Sequence, residues 1–117
     1  MLTMPSPHHI YLACGPTDLR KSIDALAALV QEGFGLNPFT PSLFVFCNRQ
    51  RDKLKLLFWD HNGFWLLYRR LERGTFQWPS DGDGVLTVSP RQLRWLLDGL
   101  TLEQRKAHPP VPVQAAI

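Results

Sequence analysis

The residues best equipped for chemistry lie between Phe44 and Pro79, FVFCNRQRDKLKLLFWDHNGFWLLYRRLERGTFQWP, where large aromatics interleave with arginine and lysine. Basic side chains neutralise phosphates and ring faces accept stacked bases, so the mixture points to nucleic acid. Tryptophan, tyrosine and arginine are also the usual anchors of protein interfaces, and composition alone does not separate the two. The charge is concentrated here. Residues 49–73 hold Arg49, Arg51, Lys53, Lys55, Arg69, Arg70 and Arg73 against Asp52, Asp60 and Glu72, a net of +4, whereas the whole chain carries +3. The remainder is therefore slightly acidic, and the basic character belongs to one segment.

Other chemistries find little support. No nucleophile elbow, phosphate-binding glycine loop or zinc-protease helix occurs. His8, His9, His61 and His108 are scattered along the chain. His61 next to Asp60 resembles an acid/base pair, but neighbouring residues at a strand end point to opposite faces. Asp18, Asp24, Asp60 and Glu72 are a conceivable nuclease-type carboxylate set, yet two-metal chemistry needs carboxylates gathered around centres ~4 Å apart, and no spacing here enforces that. Asp81-Gly82-Asp83-Gly84 lacks the further ligands of a calcium loop. Cys14 and Cys47 fall in no zinc spacing. We therefore expect no catalytic residues, no metal and no cofactor.

At 117 residues the chain is long enough to bury a core without staples. The opening MLTMPSPHH has neither the basic start nor the apolar run of a signal peptide, and no stretch approaches the ~20 apolar residues of a membrane span. The expectation is a cytoplasmic protein with reduced thiols and no membrane contact. Its organisation reads as a flexible leader over 1–9, a single α+β domain over 10–102, and a disordered, proline-bearing tail over 103–117.

The elements that must position the basic residues follow from periodicity. Ile10–Ala13 reads as a short strand. Thr17 stands where an N-cap belongs, and apolar residues at 19, 23, 26, 27 and 30 predict a helix ended by Gly33 and Gly35. That helix places Arg20 and Lys21 in its first turn, where the macrodipole disfavours cations. Asp18 and Asp24 offset them locally, or the turn faces an anionic partner. Leu43–Phe46 predicts a buried strand, and Asn48–Asp52 a loop. Leu54–Asp60 and Phe64–Leu71 predict a hairpin around Asn62-Gly63, the dipeptide favoured in type I′ turns. With those two residues central, Trp59 faces Leu66, Leu57 faces Tyr68 and Lys55 faces Arg70. One hairpin face is then apolar, and the other combines Lys55, Trp59, Tyr68 and Arg70. Thr75–Trp78 predicts a further strand, and Val85–Val88 is a short apolar run. Ser89-Pro90-Arg91-Gln92 is a capping box with proline at N1, opening a helix with Leu93, Leu96, Leu97 and Leu100 as its apolar stripe.

The segments TDLRKSIDALAALV (17–30), SLFVFCNRQRDKLKLLFWDHNGFWLLYRRLERGTFQWP (42–79) and LRWLLDGL (93–100) closely resemble the TnpB accessory protein of IS-sixty-six-type bacterial insertion sequences. This family is distinct from the larger RNA-guided nuclease that shares the name. The resemblance runs from about Ile10 to Leu100. It implies a small protein, encoded beside a separate DDE-type transposase, that assists movement of the element. It marks Asp18, Arg20 and Lys21, then Asn48, Arg49 and Arg51, then Trp59, Asp60, Gly63, Trp65 and Arg70. At Thr75 and Gln77 the chain departs from the basic character expected before Trp78-Pro79.

Together these readings give an α+β fold, an antiparallel β-meander packed with an N-terminal helix and a short C-terminal helix. The expected function is non-catalytic assistance to DNA transposition. Arg49, Arg51, Lys53, Lys55, Arg69 and Arg70 would contact phosphates, Trp59 and Tyr68 would stack or anchor, and Arg20 and Lys21 would form a secondary contact. The expected partners are DNA at the element ends, the transposase of the same element, and a second copy of the chain. The alternative is a protein-interaction adaptor of the transposition machinery with no direct nucleic-acid contact.

Overall fold

In the computed structural model, residues 7–80 and 84–103 are described. Five strands form one sheet in the order β4-β3-β2-β1-β5, with β1 His9–Ala13, β2 Ser42–Cys47, β3 Lys53–Asp60, β4 Gly63–Arg70 and β5 Val85–Val88. The expected meander is β2-β3-β4, antiparallel throughout. The sheet extends beyond it on the other side. β1 pairs parallel to β2, from His9 opposite Ser42 to Leu12 opposite Val45. β5 then adds antiparallel to β1. The fold is thus α+β with a mostly antiparallel sheet, and the parallel pair at its centre is the feature the sequence did not disclose.

The β1–β2 crossover carries helix α1, Ile23–Ala28, which continues as a π-helical segment over Leu29–Gly33. Helix α2, Pro90–Leu97, follows β5. Its start is as predicted: the Ser89 side chain accepts from the Gln92 amide at 3.1 Å, and the Gln92 side chain accepts from the Ser89 amide at 2.9 Å. Leu93, Leu96 and Leu97 pack inward. Leu100, expected on the same stripe, is instead largely exposed beyond Gly99, whose φ of 82° turns the chain out of the helix.

Both faces of the sheet are covered. On one, Ile10, Leu12, Leu43, Val45, Leu54 and Phe58 pack with Phe76, Trp78, Val88 and Leu96. On the other, Ala13, Phe44, Phe46 and Leu57 pack with Leu26 and Val30 of the crossover. All six residues of β2 are buried as a result, as expected of a central strand covered on both faces.

Three local expectations change. The helix predicted from Leu19 begins at Ile23, because the Asp18 carboxylate accepts from the Arg20 amide at 3.0 Å and the Asp18 carbonyl from the Lys21 amide at 3.2 Å. Those bonds hold Asp18–Lys21 in a turn, so Arg20 and Lys21 precede the helix and do not occupy its first turn. The hairpin is shifted by two residues: Asp60 opposes Gly63, Trp59 opposes Phe64 and Lys55 opposes Tyr68. His61 and Asn62 are therefore the central turn residues, with His61 at φ 58°. A two-residue shift preserves the face of every side chain, so the two face assignments survive. Thr75–Trp78 forms no strand. Phe76 and Trp78 are buried in the core, but this segment carries the chain from the β4 edge toward the β5 edge. It is tied by the Phe76 amide to the Arg51 carbonyl at 2.7 Å and by Trp78 Nε1 to the Ala13 carbonyl at 2.8 Å.

Much of the leader over 1–9 and nearly all of the tail over 103–117 lie outside the described residues. At the margin of the first, the His8 amide donates to the Pro41 carbonyl at 2.7 Å and His9 opens β1.

Candidate functional site

Parallel neighbouring strands deliver their outgoing chain at the same end of a sheet. Residues 14–22 leave β1 beside residues 48–52 leaving β2, and the Thr17 amide donates to the Cys47 carbonyl at 2.7 Å to lock the two together. Between them lies a cleft of about 350 Å3, with Pro16, Thr17, Asp18 and Leu19 on one wall and Asn48, Arg49 and Gln50 on the other. A wider groove of about 650 Å3 continues from Arg20 and Gln50 to Lys53, Lys55 and Tyr68. The carboxyl ends of parallel strands are where open α/β sheets place their ligand crevices. The TDLRK and CNRQR segments, 31 residues apart at Asp18 and Arg49 in numbering, become the two walls of one site.

Asn48 builds the second wall. Its Oδ1 accepts from the Asp52 and Lys53 amides, both at 3.0 Å, and its Nδ2 donates to Asp52 at 2.7 Å and to Gln50 at 3.2 Å. This bond from Asn48 is the main reason the Asp52 carboxyl is held below its ordinary range, and nearby Lys53 adds to the effect. The turn so fixed presents Arg49, Gln50 and Arg51 to solvent. Arg51 sits at φ 60°, in the left-handed region that costs an ordinary L-residue roughly 1–2 kcal/mol. Its amide donates to the Asn48 carbonyl at 3.2 Å and its carbonyl accepts from the Phe76 amide at 2.7 Å, so the surrounding structure enforces the conformation.

The eight expected contact residues divide by their engagements. Among the described residues, Arg49, Arg51 and Arg69 have no carboxylate partner, and Arg49 and Arg51 flank the clefts. Lys53 lies 3.6 Å from Asp52. The Lys55 ammonium donates to the Lys21 carbonyl at 2.8 Å, bracing one wall against the other. Arg70 is paired with Glu72 at 2.9 Å, which raises its pKa further. In the secondary set, Arg20 grips Asp18 through Nε and Nη2 at 2.7–3.1 Å. That guanidinium contact pulls the Asp18 carboxyl down to about 2, so the pair stays ionised across all ordinary conditions. Lys21 is exposed and has no carboxylate partner among the described residues.

The two expected stacking residues part company. Trp59 packs edge-on against Phe39 and Phe64, with centroids at 5.1 and 4.9 Å, and is half-buried. Phe39, which the sequence did not single out, remains 53% exposed on top of it. Tyr68 is 56% exposed on the outer strand and borders the groove. Asp60 accepts from Trp65 Nε1 at 3.1 Å, a structural role at the hairpin end. Among the described residues, no three His, Cys, Asp or Glu side chains gather to hold a metal. Cys47 is buried without exposure beneath the cleft, and desolvation pushes its thiol up to about 12.

These features define a small α+β protein with a cleft at the carboxyl ends of two parallel strands, bordered by Arg49 and Arg51. Residues 8–107 match the family model described as IS66 Orf2 like protein. The chain belongs to this IS66 Orf2-like family, which is accessory to transposition. It is 43% identical over 91 residues to the uncharacterized protein y4hO of Sinorhizobium fredii (strain NBRC 101917 / NGR234), covering 78% of this chain and 79% of that one. A second protein of that strain, the uncharacterized protein y4jC, is 34% identical over 100 residues, covering 86% of each chain. No solved structure matches. Among the described residues, no helix is long and apolar enough to cross a membrane.

Proposed function

We propose that this protein is a non-catalytic transposition factor that grips the DNA backbone in the cleft between residues 15–21 and 48–55. The observation that carries the reading is the Asn48-pinned turn. It spends backbone strain at Arg51 to hold two guanidinium groups without carboxylate partners at the mouth of a groove. Arg49 and Arg51 supply the principal phosphate contacts, with Lys53 and Lys21 beside them. Lys55 and the Asp18–Arg20 pair shape the walls. Phosphate contacts position a protein without reading sequence, so recognition of the element ends would rest with the transposase.

A second reading, a protein adaptor with no DNA contact, is favoured by Phe39. An exposed ring packed against Trp59 and Phe64 is the kind of aromatic anchor that fills a pocket on a partner. Fluorescence anisotropy on labelled element-end DNA across a salt series distinguishes the two. Under the DNA reading, log K falls with log salt by about 0.9 per phosphate contact, and Arg49→Ala combined with Arg51→Ala flattens the slope by about two contacts. Absence of binding even at low salt, with transposase capture retained, would establish the adaptor instead.

A further inference from the structure

Strand β4 is the outer edge of the sheet, and among the described residues no main-chain or side-chain bond engages its outward amides and carbonyls. It is eight residues long, contains no proline, and exposes Leu67 at 39% and Tyr68 at 56%. Edges of this kind are normally blunted, because they template pairing with another chain. The ladder alternates, so the residues closing the hairpin at Asp60–Gly63 bond inward while Phe64, Leu66, Tyr68 and Arg70 direct their main-chain groups outward.

We infer that β4 pairs antiparallel with β4 of a second copy of this chain, centred on Leu66, to form a continuous ten-stranded sheet. A two-fold axis perpendicular to the sheet keeps like faces together and so permits only pairings of even with even and odd with odd residues. Among these, centring on Leu66 makes each cross-strand row chemically complementary. Tyr68 of one copy lies opposite Phe64 of the other and extends the Phe64, Trp59 and Phe39 cluster. Leu67 lies opposite Trp65, whose inner neighbour is Phe58. Arg69, which no carboxylate engages among the described residues, lies opposite Gly63, with Asp60 one strand further along the same row.

Gly63 explains how the charges meet. Its φ is not positive, so the backbone does not require glycine. A Cβ placed there would have no neighbour within 4 Å, so the monomer leaves open space above it. An arginine from the facing strand can cross that space to reach Asp60. Centring instead on Leu67 would set Arg69 and Arg70 against Trp65 and Phe64 and leave Asp60 without a cation. The chosen register also keeps the arginines of the two copies at opposite ends of the shared ladder, avoiding like-charge contact.

The test uses the full chain without DNA, so its result is independent of whether the cleft binds phosphate. Sedimentation velocity at micromolar protein should give twice the monomer mass. Gly63→Lys fills the open space and opposes Arg69 with a like charge, and Arg69→Glu opposes Asp60. Each should weaken self-association at least tenfold while circular dichroism and thermal melting stay those of a folded sheet. The double variant carrying both changes restores attraction and should recover most of the lost association. A wild-type monomer under these conditions would overturn the inference. So would a dimer that tolerates both single changes, or a folded double variant no better associated than the singles.

Discussion

Replacing Arg51 separates what the turn needs from what its side chain does. The residue occupies the left-handed region at φ 60°. Glycine adopts that region freely, whereas alanine retains the strain of roughly 1–2 kcal/mol. Against this stands the extra unfolded-chain freedom of glycine, about 0.5–1 kcal/mol. Arg51→Gly should therefore be about 0.5–1 kcal/mol more stable than Arg51→Ala, a difference of about 2–5 °C in Tm for a chain of this size. Both changes remove the same guanidinium from the cleft and should weaken DNA to the same degree. One lost phosphate contact reduces the salt slope by about 0.9, which near 0.1 M salt corresponds to roughly eightfold weaker binding. Thermal melts and anisotropy titrations on the three proteins provide both readouts. Two results would refute the reasoning. If Arg51→Gly binds DNA as tightly as wild type at every salt concentration, the guanidinium makes no contact. If Arg51→Gly melts below Arg51→Ala, the left-handed backbone is not the strained feature it is taken to be.

Two further outcomes follow from the packing. Ser89→Ala removes the acceptor for the Gln92 amide and should cost about 1 kcal/mol, seen as a lower denaturant midpoint with an unchanged slope. Cys47, buried and with its thiol raised to about 12, should resist alkylation at pH 8 in the native protein and react only after unfolding, read by mass spectrometry.

How much was legible depended on whether the determining interactions were local. The capping box at Ser89 and Gln92 is encoded within four residues, and the helix starts where it says. The hairpin faces were correct because alternation has a period of two, even though the register slid by two when His61 and Asn62 took the turn. The uninterrupted apolar run of β2 signalled burial, and its two-sided nature follows from the same run. What could not be read was the parallel pairing of β1 with β2. That contact joins segments more than thirty residues apart through a crossover, and no turn chemistry announces it. The cleft was hidden with it, since residues 15–21 and 48–53 become neighbours only through that pairing. The Asp18 turn was a nearer miss. A carboxylate two residues before an arginine can cap a turn as readily as it can offset charge in a helix, and here it does the former. Phe39 had no periodic context, so only the tertiary contact with Trp59 reveals it.

The place of β1 also governs when the molecule can finish folding. The strand nearest the amino terminus is held between β2 and β5, and β5 lies more than seventy residues further along the chain. During synthesis the crossover unit and the hairpin can assemble first, with one edge of β1 still open. Only when Val85–Val88 and helix α2 leave the ribosome are that edge and the Trp78–Leu96 side of the core closed. Such non-local closure slows folding and prolongs exposure of an unpaired strand. A chain truncated before Val85 should therefore accumulate as an aggregation-prone intermediate, lacking the cooperative unfolding of the full-length protein.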